Sequence, residues 1–245
     1  MSTDTKEKMR NSVTGGTTGI LDGFIANGNL WEAFRFGMEN KKYLSPDKLL
    51  DFTRLFLKTD GWHPSVVQLG RENGMQDSEV LVYLRSTVTS YIAAGQNGAA
   101  LSFVDEYGKK FGMPDSEITD VVVGNVKSLL NMRGYKRAAD CMEAHGLPRE
   151  RAIDLVIDKL TPAIMNESEK DVKEIKKAFK ITEIFKEMEE AAKKAVDMIC
   201  AVPQPGVYSL EKAIRIIDKY QLDKELRELI EKKIELECKA LRRKE

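Results

Sequence analysis

Two histidines are the whole imidazole supply of this chain: His63, just ahead of Pro64, and His145, just ahead of Gly146. An imidazole becomes a general base or a metal ligand through a partner at the right distance, and neither has a neighbour at ligand spacing. Cys141, Cys200 and Cys238 lie far apart, outside any C-x-x-C or Cys/His spacing, so they read as three reduced thiols packed in helices and not as a zinc site. The run Thr14-Gly15-Gly16-Thr17-Thr18-Gly19 has the glycines of a phosphate loop. It lacks the Lys-Ser/Thr that should follow, and no apolar strand precedes it. No H-E-x-x-H, G-x-S-x-G elbow, Walker lysine or dinucleotide fingerprint occurs. Most carboxylates stand three or four residues from a lysine or arginine, as Glu190 does before Lys194, which describes a solvated helix face. The expectation is a protein with no catalytic residues, no metal and no cofactor, in short not an enzyme.

The elements that carry these residues are helices. Apolar positions recur with helical period: Leu30, Ala33, Phe34, Gly37 and Met38 share one face, as do Leu49, Leu50, Thr53, Phe56 and Leu57. Similar stripes run through Ala100–Phe111, Ile118–Leu129, Ala152–Leu160, Ile181–Ile199, Leu210–Ile217 and Leu226–Ile234. Val121-Val122-Val123 sits inside such a stripe and is read as helix, not strand.

The turns repeat. Gly28, Gly61, Gly95, Gly134, Asn166 and Gly206 are separated by 33, 34, 39, 32 and 40 residues. An interleaved series, Leu44, Met75, Met113, Leu147, Ile181 and Leu222, has spacings of 31, 38, 34, 34 and 41. Each member of the second series stands just before a helix start: Ser45-Pro46-Asp47, Asp77-Ser78-Glu79, Pro114-Asp115, Pro148-Arg149, Thr182-Glu183 and Asp223. Proline suits a first helical turn because its missing N–H has no partner there, and Ser, Thr and Asp cap the free N–H groups. Gly74, Gly112 and Gly146 precede three of these corners, where a helix should end in a left-handed residue. One hairpin cannot cover its own apolar stripes, so successive hairpins must stack. The predicted fold is all-α: a right-handed α-solenoid of about six helical hairpins, with longer helices in the last third.

This pattern resembles the tetratricopeptide-like superfamily of helical-hairpin repeats, most clearly at Gly134-Tyr135, Ala138-Ala139 and Gly146-Leu147-Pro148, and again at Val207-Tyr208, Ala213 and Leu222-Asp223. The resemblance covers residues 28 to about 241. It implies a concave surface that binds a peptide or partner protein, and it carries no individual binding residue onto this chain.

Residues 1–17 are polar and read as a flexible tail, 18–166 as the helical-repeat domain, and 167–245 as a C-terminal helical section that continues or caps it. In that section Asp171 to Cys200 could form one long helix, and Val202-Pro203-Gln204-Pro205-Gly206 is a breaker. Its charged faces read as a solvated cap, with a coiled-coil-like docking or homodimer surface as the alternative.

The 245 residues hold 39 basic and 39 acidic side chains, so the total charge exerts no long-range pull on nucleic acid or anionic lipid. No apolar run approaches the ~18 residues of a membrane helix, the N-terminus lacks a signal-peptide core, and the expected compartment is the cytoplasm. The expected function is a protein-interaction scaffold that binds a peptide or helix in its groove. An RNA-binding helical repeat is the alternative, for which Lys109-Lys110, Arg133, Lys136-Arg137 and Arg149–Arg151 would supply cations. Two aromatic side chains point away from their helix stripes. Phe36 lies about 200° from Phe34 on a helical wheel, and Tyr83 sits off the Val80-Leu84-Val88 line. Both should be core if neighbours cover them, and either, if exposed, is the first candidate for a binding contact.

Overall fold

The computed structural model describes residues 3–180, 186–202 and 205–242. Among them are thirteen α-helices and no strand: α1 Thr3–Ala26, α2 Leu30–Asn40, α3 Pro46–Thr59, α4 Pro64–Glu72, α5 Asp77–Ala93, α6 Asn97–Tyr107, α7 Asp115–Asn131, α8 Tyr135–Ala144, α9 Arg149–Met165, α10 Glu169–Ala178, α11 Lys186–Cys200, α12 Val207–Tyr220 and α13 Lys224–Arg242. After α1 the two series of turn residues separate the helices into six successive pairs, α2–α3 through α12–α13.

The backbone shows why the spacing is regular. Left-handed residues occur at Gly28, Gly61, Gly95, Arg133 and Glu167 in one series, and at Gly74, Gly112, Gly146, Lys180 and Gln221 in the other. At eight of these ten the N–H of the next residue turns back onto the preceding turn, as when Met75 N–H donates to Gly70 O at 2.9 Å and Leu222 N–H to Ile217 O at 3.0 Å. Where the sequence reading placed Gly134 and Asn166, the left-handed residue is the one beside it, Arg133 or Glu167. Gly206 does not turn left-handed and instead precedes α12 as its N-cap. At α3 and α4 the starts are as expected, with Ser45 Oγ accepting from Lys48 N–H at 3.2 Å and Pro46 and Pro64 opening their helices, whereas Gln76 gives α5 no side-chain cap and Pro148 stands one residue ahead of α9.

Two expectations are corrected. The helix α1 begins at Thr3, inside the stretch read as a flexible tail. Within it two hydroxyls find partners on the helix's own backbone: Thr17 Oγ1 donates to Val13 O at 2.8 Å and Thr18 Oγ1 to Thr14 O at 3.0 Å. The chain from Asp171 to Cys200 is not one helix, because α10 ends at Ala178 and Lys180 takes φ 53°. The expected corner at Ile181-Thr182-Glu183, the stripe positions Ile184 and Phe185, and Pro203-Gln204 of the breaker lie outside the described residues.

By contacts the chain divides into an N-terminal unit, residues 1–121, and a C-terminal unit, 122–245, the division falling within α7. In the N-terminal unit α1 packs on α2, α3 on α4 and α5 on α6. Its most enclosed side chains are large: Phe52, Phe56, Leu21, Leu69, Leu84. At roughly 1.5–3 kcal/mol for each fully buried large side chain, these few positions hold much of the unit together. In the C-terminal unit α8 packs on α10, α9 on both α10 and α11, and α12 on α11 and α13. The centre of the α9–α11 contact is small: Ala191, Ala192 and Ala195 are fully buried. Close approach there lets Thr161 Oγ1 donate to Ile157 O in its own helix at 2.8 Å and reach Ala191 O on α11 at 3.4 Å.

Candidate functional site

A groove of about 700 Å³ opens in the N-terminal unit. One wall is the outer face of α4 and the corner after it: Pro64, Ser65, Val67, Gln68, Arg71, Glu72, Met75, Gln76 and Asp77. The other side comes from Trp62, in the α3–α4 turn, and from Tyr107, Lys110 and Phe111, at the end of α6 and in the short 3-10 turn after it. Trp62 is placed by its neighbours in sequence. Gly61 takes φ +89°, a conformation with a steric cost for any residue bearing a Cβ, and swings the chain away from α3. His63 is extended, as a residue before proline must be, and Pro64 restarts the helix. The indole is thereby pushed onto the end of α6.

Trp62 is the hub of an aromatic floor. Its ring lies 5.3 Å from Phe103, 5.2 Å from Tyr107 and 5.6 Å from Phe111, centre to centre. Tyr91 touches Phe103 from α5 at 5.9 Å. Such edge-on and tilted pairs add roughly 0.5–1.5 kcal/mol each beyond their burial. Two cations stand over the buried Phe111 ring, the Arg71 guanidinium and the Lys110 ammonium, each 5.5 Å from its centre. Arg71 Nε also meets Asp77 Oδ1 at 3.1 Å. The Tyr107 phenol has a raised pKa, first because it bonds to Glu106 and second because it is partly buried, with Trp62 acting in the opposite direction. The Trp62–Tyr107 approach falls short of a formed hydrogen bond, so Trp62 Nε1 is a buried donor without a partner.

The next residue, His63, faces the other way, into a second aromatic group. Its ring lies 4.7 Å from Trp31 and 6.1 Å from Phe34, and Trp31 lies 4.9 Å from Phe56. His63 Nδ1 is buried without a hydrogen-bond partner, and its side chain does not cap α4 despite its N-cap position. His145 sits at the C-cap of α8.

Neither side chain singled out from the sequence is fully exposed, and neither lines this groove. Phe36 is half-buried and packs on Phe24 of α1 at 5.8 Å. Tyr83 is half-buried on α5, and burial raises its pKa, helped by the Glu79 carboxylate and opposed by Arg54. The groove residues Trp62, Tyr107 and Arg71 were missed because they come from three segments that only folding brings together. The aromatic richness between residues 31 and 111 was the available signal. Trp31, 44% exposed, and Leu229, 54% exposed although it was assigned to the buried stripe of α13, are further surface positions. Leu229 shares the outer face of α13 with Leu236, seven residues on and also exposed.

Of the cations considered for RNA, Lys110 lines the groove and Arg133 pairs with Asp171 at 3.4 Å. Asp171 also accepts from Ser168 Oγ at 2.8 Å and Tyr135 OH at 3.4 Å. The Ser168 bond comes first in holding its carboxyl below the usual range, with the Arg133 charge and the Tyr135 bond adding to it. A larger, open groove of about 1160 Å³ lies in the C-terminal unit, between the start of α10, Met188-Glu189 of α11, and α12. Two ion pairs cross it, Arg215–Glu167 at 3.0 Å and Lys219–Glu169 at 2.8 Å. Among the described residues no three His, Cys, Asp or Glu side chains are grouped to hold a metal, and no helix is long and apolar enough to cross a membrane.

Comparison with known proteins gives little to set beside this geometry. No family model matches the chain, and no curated protein matches it. Among solved structures, one described as a circular tandem repeat protein with novel repeat topology and enhanced subunit contact surfaces aligns at 14% identity and a TM-score of 0.17. The alignment covers 95% of this chain and 52% of that one, so the chain spans about half the length of the protein it matches. A likeness of that size carries no structural argument.

Proposed function

We propose that this chain is a protein-interaction scaffold of the tetratricopeptide-like type and that the groove of its N-terminal unit receives a peptide. The carrying observation is the aromatic floor: half-buried Trp62 and Tyr107 rings over buried Phe111, framed by polar side chains of α4. Binding sites of this kind combine apolar anchors with a few fixed polar groups. Recognition would rest on preorganised shape, with no covalent step. The three cysteines are free thiols, which suits a reducing compartment such as the cytosol.

Selection from a random peptide library displayed on phage tests this reading. Enriched peptides should lose binding to the Ser65→Phe variant, which narrows the groove from an exposed position on its rim. Peptides that bind the variant and the parent alike would place recognition elsewhere. RNA binding, the second reading of the sequence, has less support: the groove holds Glu72 and Asp77 beside its two cations.

A further inference from the structure

We infer that the groove of the N-terminal unit selects an acidic segment, with carboxylates flanking one aromatic or leucine anchor; this rests on the peptide reading above. The anchor chemistry comes from the floor, where Trp62 and Tyr107 leave half-buried ring surface in a space large enough for one big side chain and its backbone. The charge preference comes from how the groove's own ions are already paired. Asp77 is taken up by Arg71 at 3.1 Å. Glu72 accepts from Gln68 Nε2 at 3.0 Å and faces the Lys41 ammonium at 3.8 Å. Both acids therefore have partners within the protein.

The cations differ. Lys110 leans over Phe111, and neither it nor the adjacent exposed Lys109 forms an ion pair among the described residues. A ring face attracts cations, and on Phe111 that attraction is already satisfied twice, by Arg71 and Lys110. An incoming cation would meet two like charges over an occupied ring. An incoming carboxylate would meet an ammonium without a counter-ion and a guanidinium with donors beyond the one that binds Asp77. A polyphosphate chain fits less well, because it would have to run past Glu72 and Asp77 without a train of cations to neutralise it.

The chain has two tryptophans, so Trp31→Phe leaves Trp62 as a fluorescent reporter inside the groove. Four probes are titrated against it: an octapeptide of Asp and Glu around a central Phe, the same peptide with Lys and Arg, the same with Ser and Gln, and an oligouridylate of like length. The acidic peptide should shift the Trp62 emission and bind about tenfold more tightly than the neutral one, the effect of one well-placed ionic contact. Lys110→Glu, at an exposed position, should remove that advantage without changing the melting curve, and added salt should weaken the parent complex. Equal binding of acidic and neutral peptides, or tighter binding of the basic one, overturns the charge preference and leaves the peptide groove standing. If no peptide shifts Trp62, both readings fall. If the oligouridylate alone binds, the groove is a nucleic-acid site.

Discussion

The two units reach the same hairpin geometry by different chemistry. The N-terminal unit holds both tryptophans, seven of the nine phenylalanines and thirteen of the seventeen glycines. Its core interlocks rings, and all five of its left-handed turn residues are glycine. The C-terminal unit buries alanine along α11 and, among its described residues, keeps glycine at one of five left-handed turns. Arg133, Glu167, Lys180 and Gln221 take the others, at a steric cost of roughly 1–2 kcal/mol each. Repeat geometry is thus set by where the chain turns and which faces it covers, while the filling can be large and aromatic or small and close-packed.

That contrast predicts opposite sensitivities. The largest effect should come from Phe56→Ala, which empties a position enclosed by Trp31, Phe34 and Phe52 and should cost about 3–5 kcal/mol by chemical denaturation. Along the buried alanines of α11 truncation has little to remove, and enlargement is the damaging change, although the same unit also encloses Leu160, Leu210 and Ile217. Ala195→Phe, at a fully buried position of α11, should cost about 1–3 kcal/mol or more, with hydrogen exchange rising in α9 and α11 and not in α3. A pair of turn substitutions comes next. Gly74→Ala, at φ +105°, should destabilise by about 1–2 kcal/mol. Gln221→Gly, at φ 52°, should stabilise by up to about 1 kcal/mol, the relief of strain being offset in part by a more flexible unfolded chain. If Gln221→Gly is neutral or worse, the C-terminal turns are held by contacts that outweigh the strain.

The smallest effect concerns acid. Asp171, Glu169 and Glu79 have carboxyl pKa values lowered by their hydrogen-bond partners. Such groups contribute stability that is present above the unfolded carboxyl range, near pH 4–4.5, and is lost as pH falls through the lowered folded values. The denaturation midpoint should therefore hold down to about that pH and then decline. Asp171→Asn should flatten the decline attributable to the C-terminal unit.

Much of this fold was legible in the sequence because its signals are local. A left-handed glycine, a proline in a first turn and a serine cap each act over three or four residues, so Gly74, Pro64 and Ser45 could be placed without knowing what packs on them. The residues that take glycine's role carry no such mark. Nothing in the types Arg133 or Lys180 announces a left-handed turn, which is why one turn was placed a residue late and the sequence leaves the break near Ile181 open against one long helix. The polar first half of α1 misled for a related reason, since threonine hydroxyls can bond back within a helix as well as outside it. The groove was illegible because Trp62, Arg71 and Phe111 become neighbours only when α4 and α6 are in place. Phe36 and Tyr83 were chosen by helical phase alone, which shows that a side chain leaves its own stripe but not whether another helix awaits it.

The Asp-Ser-Glu starts of α5 and α7 place Glu79 and Glu117 where each grips an arginine of the preceding long helix with both oxygens. Arg54 meets Glu79 at 2.6 and 3.0 Å, and Arg85 meets Glu117 at 2.8 and 2.6 Å. Exposed pairs of this kind add little to stability, but a two-pronged grip has a direction. A shift of one helix along its neighbour by a turn, about 5.4 Å, would part both prongs at once, whereas a slight change of tilt would part neither. Under load the N-terminal unit should therefore flex by tilting its long helices and resist sliding them, and the floor beneath Trp62 would keep its register while the mouth of the groove widens or narrows.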